Sequence, residues 1–166
     1  MFDPFFIWLE STAFSVWMRE SPSIFAFPII LAVHTIGLGL IAGINAALDF
    51  RILGFAARIP VVEFKRFLPV MWLGLWMNVI SGVALLVAYP TKALTNPVFY
   101  LKLSLIAVAL VILKAVRWRA FTDEVMSGTV KILATASLVC WAGATIAGRL
   151  LAYTYTRLDA LAVPIR

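Results

Sequence analysis

The segment IFAFPIILAVHTIGLGLIAGINAAL, residues 24–48, contains no charged side chain. At about 1.5 Å per residue, a helix of this length crosses the ~30 Å hydrocarbon core of a bilayer with some tilt. Lipid offers no hydrogen-bond partner to the backbone, so such a segment is stable there only when its own helix satisfies those groups. The sequence therefore predicts a transmembrane helix over residues 24–48.

Three further apolar segments have a similar length and composition. The pairs Tyr89-Pro90 and Asn96-Pro97 mark a tight connection after the second span, because proline disfavours helix in the residue before it. Spans are predicted at residues 67–89, 98–116 and 130–155. The predicted fold class is all-α integral membrane, a four-transmembrane-helix bundle forming one domain over residues 1–166.

The overall composition agrees with a lipid environment. Hydrophobic residues make up 63% of the chain and charged residues 13%, and the mean hydropathy is +1.01. A soluble domain has about a quarter of its residues charged. The net charge of +6 comes from basic residues at the ends of apolar segments, where they fix topology, so no nucleic-acid partner is expected. Cys140 is the only cysteine, which excludes an intramolecular disulfide and any multi-cysteine site built by one chain.

Residues 2–20 differ from the four spans because aromatic side chains alternate with charged ones. Phe5, Trp8 and Trp17 are interspersed with Glu10 and Arg19. This pattern is typical of an amphipathic helix that lies in the membrane interface instead of crossing it. The sequence therefore predicts an N-terminal interfacial helix.

The distribution of basic residues predicts the orientation. Four basic residues lie between the first two spans and four more lie in residues 114–131, whereas the connection between spans two and three has only Lys92. By the positive-inside rule the two basic loops face the cytoplasm. We expect a multi-pass protein of the bacterial cytoplasmic (inner) membrane with both termini outside.

Small residues four positions apart occur in three of the predicted spans. They are Gly39 and Gly43, then Gly74 and Gly82 on either side of Asn78, and finally Ala144 and Gly148. This spacing puts small side chains on one helix face and allows two backbones to approach closely. We expect these faces to pack within the bundle, with homo-oligomer formation as the alternative.

His34 is the only histidine, and it lies near the middle of the first predicted span. An ionisable group at that depth is costly and usually has a specific partner. A neutral imidazole can ligate the iron of haem b or the magnesium of a (bacterio)chlorophyll, with Gly37 leaving room for the flat ring. The second axial ligand would then be Met71 or Met77, His34 of a second copy, or nothing. The alternative is a hydrogen bond from His34 to a neighbouring helix.

Other polar residues offer weaker signals. Lys102 and Arg149 lie near the outer face, where they can meet Glu10 or Glu20. They would bind a lipid phosphate, a quinone head group or a haem propionate there. The alternative is that their side chains only reach the interface and form ion pairs. Asp49 and Arg51 are expected to pair or to face the head groups. The chain has no Walker loop, HExxH, GxSxG or paired catalytic carboxylates, so no catalytic residues are predicted.

Four blocks of the chain resemble an uncharacterised bacterial family of small four-span membrane proteins. They are WLESTAFSVWMRES (8–21), VHTIGLGLIAGINAALDFRILG (33–54), NPVFYLKLSLIAV (96–108) and ASLVCWAGATIAGRLLAY (136–153). The resemblance implies a loose similarity to b-type membrane cytochromes, with histidines matching His34, the start of span two and the end of span three. Here the last two places hold Lys65 or Arg66, and Arg117. The resemblance thus implies a relative that has lost haem and is kept as a structural subunit.

Together these features favour a non-catalytic accessory subunit of a larger membrane complex of respiratory or photosynthetic electron transfer, surrounded by lipids and by other integral membrane subunits. A b-type cytochrome that exchanges electrons with quinone is the first alternative. A small transporter is the second, which the lack of an acidic residue at mid-membrane depth disfavours.

Overall fold

The computed structural model describes residues 3–122 and 127–162 and is all-α over that range. Among these residues, four helical segments are long and apolar enough to cross a membrane, namely Phe27–Leu53, Val61–Ala88, Pro97–Trp118 and Gly128–Thr154. The predicted four-span, multi-pass membrane protein is therefore confirmed. The α-helices are α1 (Asp3–Glu10), α2 (Ala13–Glu20), α3 (Phe27–Leu53), α4 (Leu68–Ala88), α5 (Pro90–Leu94), α6 (Pro97–Thr122) and α7 (Gly128–Ala162), with a 3-10 helix at Val61–Phe67.

Helix α3 ends at Leu53, five residues later than the predicted first span. The residues around Gly54 form a specific helix-ending motif there. Gly54 has φ +110°, a conformation that costs glycine little. It allows the N–H of Phe55 to donate to the carbonyl of Phe50 at 3.0 Å. The N–H of Gly54 donates to the carbonyl of Arg51 at 3.2 Å. The rings of Phe50 and Phe55 meet edge to face at 5.6 Å. This is a Schellman motif with its apolar contact.

The N-terminal segment forms two short helices, α1 and α2, where the sequence predicted one. Ser11 Oγ donates to the carbonyl of Trp8 at 2.7 Å, and Thr12 Oγ1 donates to that of Leu9 at 2.8 Å. These hydroxyls compete with the backbone for the last carbonyls of α1. Thr12 Oγ1 also accepts from the N–H of Ser15 at 3.4 Å and so caps α2.

The described residues form two compact units. The first contains the chain up to Ile44 together with Arg66–Ala93, and the second contains Asn45–Lys65 together with the chain from Leu94 onward. The first unit thus holds α1, α2, all of α4 and most of α3. The second holds the end of α3, most of the 3-10 helix, α6 and α7.

In the first unit, α3 and α4 approach closely enough that their backbones meet. A Cβ added at Gly37 would lie 2.8 Å from the amide nitrogen of Asn78 and from the carbonyl oxygen of Gly74. One added at Gly74 would lie 2.6 Å from Leu40 Cβ. These distances are shorter than van der Waals contact, so only glycine permits this crossing. Close approach increases dispersion contacts, which drive helix association where lipid removes the hydrophobic effect.

The N-terminal helices are attached to the end of α4 through Arg19. Its Nη1 donates to the carbonyl of Ala88 at 3.0 Å and to Ser15 Oγ at 3.0 Å, and its Nη2 donates to the carbonyl of Glu10 at 2.8 Å. Ala88 and Glu10 are the last residues of α4 and α1, whose carbonyls lack partners within their own helices. A cation at this position also complements the negative end of both helix dipoles.

In the second unit, α6 and α7 pack along most of their length around small residues. The buried positions on α7 recur every three or four residues, as expected for one helix face: Val130, Ala134, Ser137, Trp141, Ala144 and Ala147. Leu48 and Ile52 from the end of α3 and Val116 from α6 join Val130 and Ala134 in a hydrophobic core. The last two turns of α3 are thereby held against α7.

We predict that Gly74→Ala destabilises the protein, whereas Gly39→Ala does not. The added methyl at Gly74 collides with Leu40 and with the backbone of α3, and overpacking of this kind costs about 1–3 kcal/mol. No described heavy atom lies within 4 Å of a Cβ built at Gly39, so that variant is the matched control. The free energy of unfolding is measured by SDS titration in mixed micelles. Equal stability of the two variants would contradict the close crossing.

Candidate functional site

The first polar cluster surrounds the single histidine and is called the His34 cluster, comprising the half-buried His34 and Asn78 and the buried Ser81. His34 Nδ1 lies 3.0 Å from Ser81 Oγ. Asn78 Nδ2 donates to the backbone carbonyl of His34 at 2.9 Å and lies 3.5 Å from each ring nitrogen. The predicted alternative for His34, a hydrogen bond across helices, therefore matches this geometry.

The hydroxyl of Ser81 assigns the tautomer of the ring. Its single proton is directed to the carbonyl of Met77, one turn back, at 2.6 Å. The oxygen must then accept from His34, so Nδ1 carries the proton. Ser81 is 4% exposed, and an interhelical hydrogen bond of this kind contributes roughly 0.6 kcal/mol in a membrane.

The surroundings of His34 do not fit a tetrapyrrole placed as the sequence predicted. The room expected at Gly37 is filled by the backbone of α4 at Gly74 and Asn78. On the other helix, a Cβ at Gly82 would lie 3.3 Å from Cε1 of His34. The ring of His34 thus lies against α4 on one side, and the residue is half-buried. Met77 is on this packed face, its Cβ 3.0 Å from a Cβ built at Gly37, and Met71 is buried about two turns earlier on α4.

The second buried polar cluster lies in the second unit and is called the Asp49 cluster, comprising Asn45, Asp49 and Ser137. Asn45 Nδ2 donates to Asp49 Oδ2 and to Ser137 Oγ, both at 2.7 Å. All three side chains are buried, with 1% or less of their surface exposed. Asn45 and Asp49 are one turn apart on α3, and Ser137 is on α7, so the cluster joins two helices.

The expectation for Asp49 and Arg51 is wrong in part, because among the described contacts the two side chains do not pair and Asp49, which is 1% exposed, faces the protein and not the head groups. The Asp49 carboxyl points into the unit because Asn45 and Ser137 offer it partners there. Arg51 turns the other way, and its guanidinium donates to the carbonyls of Ala57 (at 3.0 Å) and Ile59 in the loop after α3. Asp49 is therefore an acidic residue of a membrane-spanning helix whose side chain is buried inside the second unit.

Two buried polar atoms close to this cluster along the chain have no hydrogen-bond partner among the described residues. They are Oδ1 of Asn45 and Nε1 of Trp141. Trp141 follows Ser137 by one turn on the same face of α7 and is 3% exposed. Since unsatisfied buried polar atoms are rare, the one on Asn45, whose amino group bonds to Asp49, singles out this cluster.

The predicted head-group residues lie toward one end of the α6 and α7 pair. The stem of Lys102 runs along α7, its Cε 3.7 Å from a Cβ built at Gly148, and Arg149 is exposed. At the same end, Asn96 Nδ2 donates to Thr154 Oγ1 at 2.9 Å. In the first unit, the predicted partner Glu10 accepts from the N–H of Thr91 at 3.4 Å.

The small residues predicted to pack have different surroundings. Gly74 and Gly82 face α3, Ala144 is fully buried, and Gly148 lies beside Lys102. By contrast, a Cβ at Gly39 or Gly43 would have no described atom within 4 Å. The close approach on α3 thus occurs at Gly37, a position that the spacing rule did not select.

Sequence reasoning missed Asn45 and Ser137 as site residues. Asn45 and Asp49, four residues apart near the end of an uncharged run, were a signal of a polar helix face. Ser137 carried no comparable signal. Within the part of the chain that the structure describes, no group of three or more His, Cys, Asp or Glu residues is suited to hold a metal ion.

No protein-family model, curated protein or solved structure matches this chain. The family resemblance drawn from the four sequence blocks therefore stays a prediction.

We predict that His34→Ala lowers the free energy of unfolding by roughly 0.5–2 kcal/mol, because the ring acts as a link between helices. The visible absorption spectrum should be the same for the variant and the wild type, with no tetrapyrrole band lost. Thr35→Ala is the matched control, since Thr35 is exposed and its hydroxyl bonds only to its own helix at Leu31. Unfolding in mixed micelles and a visible absorption spectrum are recorded on each purified variant. A Soret band present in the wild type and lost in His34→Ala would contradict this role.

Proposed function

We propose that this chain is a non-catalytic accessory subunit that binds a transmembrane helix of a different membrane protein through the outer face of α3. The observation that carries the proposal is an exposed row of small residues on the part of that helix in the first unit: Thr35, Gly39 and Gly43. They recur every four residues and cover about two turns, or ~12 Å along the axis.

This face has the properties of a helix-docking surface in lipid. The glycines leave the backbone open to close approach, since no described atom occupies the space beside Gly39 or Gly43. The one hydroxyl on the row, that of Thr35, is already satisfied by the carbonyl of Leu31 at 2.9 Å. A partner helix would therefore gain dispersion contacts without having to satisfy a polar group. The same motif that the sequence predicted to pack internally is available for a partner.

The composition of the chain supports a subordinate role within an assembly. Nearly all described residues belong to the four spans and their short connections. Exposed aromatic residues on α1 and α2, including Phe5, Trp8, Phe14 and Trp17, support an interfacial position for these helices. We further propose that the complex carries out respiratory or photosynthetic electron transfer and that lipid or quinone head groups meet Lys102 and Arg149.

The cytochrome alternative is less well supported by the geometry. The ring of His34 lies against α4 at Gly82, and its Nδ1 is 3.0 Å from Ser81 Oγ. Haem ligation through Nε2 of His34 would be compatible with the hydrogen bond from its Nδ1 to Ser81, because metal-bound histidines usually donate their other N–H. It would also require α4 to move away from Gly37, losing the closest helix contact of the first unit.

We propose the bacterial cytoplasmic membrane as the location, with the basic loops inside and the termini outside. We predict that a cysteine introduced by Arg58→Cys in a Cys140→Ser background is not labelled by a membrane-impermeant maleimide on intact cells. A cysteine introduced by Thr95→Cys, in the connection before α6, is labelled. Both positions are exposed. Labelling of the first and not the second would invert the orientation.

The subunit proposal is tested by purifying the tagged full chain from its own host in a mild detergent. We expect other integral membrane proteins to co-purify with the wild type and to be lost from the double variant Gly39→Ile, Gly43→Ile, because the added side chains block close approach. Ala107→Ile, which adds the same bulk at an exposed position of α6, should retain them.

Three outcomes would overturn the proposal. The wild type alone could run as a single 18.3 kDa chain with its micelle. It could form only a complex with a second copy of itself. The glycine variants could also retain the same partners as the wild type, which would place the contact elsewhere.

A further inference from the structure

The Asp49 cluster places a carboxyl group inside the second unit without a cation to balance it. Besides Asp49, the charged residues of this unit whose side chains the structure describes are Arg51 on α3, Arg58 in the loop after it, Glu63 and Lys65 on the 3-10 helix, Lys102, Lys114 and Arg117 on α6, and Lys131 and Arg149 on α7. None of their described bonds reaches Asp49. Arg51 is held by Ala57 and Ile59, while Lys114, Lys131, Glu63 and Lys65 are exposed. A charge enclosed in this way is costly, and a proton is the usual means by which proteins remove the cost.

The partners of Asp49 are groups that accommodate both the charged and the neutral carboxyl. As placed, the two N–H groups of Asn45 donate to Asp49 Oδ2 and to Ser137 Oγ, which suits a carboxylate. Rotating the amide by half a turn puts Oδ1 at the same two places. There it accepts from the O–H of a protonated Asp49 and from that of Ser137. Amide nitrogen and oxygen are interchangeable in shape, and 2.7 Å suits an O–H···O bond as well.

The unpartnered Oδ1 of Asn45 is a second, independent sign that the amide has more than one favourable orientation. A buried side chain with one end fully bonded and the other end unsatisfied is rare in proteins. In the present orientation the carbonyl oxygen is left without a donor. In the rotated orientation the amino group is left instead. The amide is thus not locked by its surroundings, and its orientation can follow the protonation state of Asp49.

We propose that the Asp49 cluster is a reversible proton-binding site, with Asp49 as the proton acceptor and Asn45 as the amide that reorients with it. On uptake, a hydronium ion from the aqueous phase transfers one proton to a carboxyl oxygen of Asp49 and leaves water. The new O–H donates to Oδ1 of the rotated Asn45 amide, which also accepts from Ser137 Oγ, and these two hydrogen bonds replace the two that the amino group of Asn45 donated. No other covalent bond forms or breaks, and release is the reverse.

A proton fits this site better than a metal cation. Sodium or a divalent ion requires about six oxygen ligands, whereas the cluster offers oxygens from only three side chains. One of these, on Ser137, already accepts a hydrogen bond. Asn45 also directs its amino group, not its oxygen, toward the carboxyl.

The test is an infrared titration of the full chain in lipid, monitoring the carbonyl stretch of a protonated carboxylic acid between about pH 4 and pH 10. We expect a band that titrates in the wild type, is absent in Asp49→Asn and is unchanged in Glu63→Gln, which removes an exposed carboxyl. Identical titrations for the wild type and Asp49→Asn would overturn the proposal.

A second pair of variants keeps the test decisive if Asp49→Asn does not fold. Ser137→Ala removes one partner of the cluster and should shift the frequency of the band. Thr135→Ala removes an exposed hydroxyl on the same helix, bonded only to the carbonyl of Lys131, and should not. No shift in Ser137→Ala would overturn the proposal, and so would a band that sodium chloride suppresses at constant pH when choline chloride does not. These readouts use the protein alone, so they do not depend on the subunit proposal.

Discussion

The structure depends on the requirement that polar groups in lipid find hydrogen-bond partners within the protein. For the backbone this requirement selects helices, since each N–H is then satisfied four residues back along the chain. For side chains it selects interhelical clusters. His34 is satisfied by Ser81 and Asn78 on α4, and Asp49 by Asn45 on its own helix and Ser137 on α7. Each unit thus contains a polar contact that joins two of its membrane-spanning helices.

Glycine has two different uses along α3, although the residues are only a few positions apart. Gly37 is needed because α4 passes so close that any Cβ would collide with its backbone. Gly39 and Gly43 are on the opposite, exposed side and leave that side of the backbone uncovered. The first use holds the chain together, and the second offers a surface to another helix. A spacing rule applied to the sequence does not separate them, because it counts positions and not neighbours.

Two of the ionisable residues on α3, His34 and Asp49, also have contrasting roles. The lone histidine was the most obvious candidate ligand, yet its ring lies against α4 and is hydrogen-bonded to Ser81. Asp49 was expected at the head groups, yet it is enclosed where no described cation balances it. This buried carboxyl is the group through which we propose that the protein binds a proton.

The sequence alone determined the four spans and the all-α class, because long uncharged segments have only one stable form in lipid. It also determined that His34 needs a partner, but not which helix would supply it. Only the tertiary structure decided that Gly37, and not Gly39, meets α4, and that Asn45, Asp49 and Ser137 come together. These contacts join residues as many as 92 positions apart, and they depend on the rotation of each helix about its axis. An apolar span that can face lipid on any side does not encode that rotation in its composition.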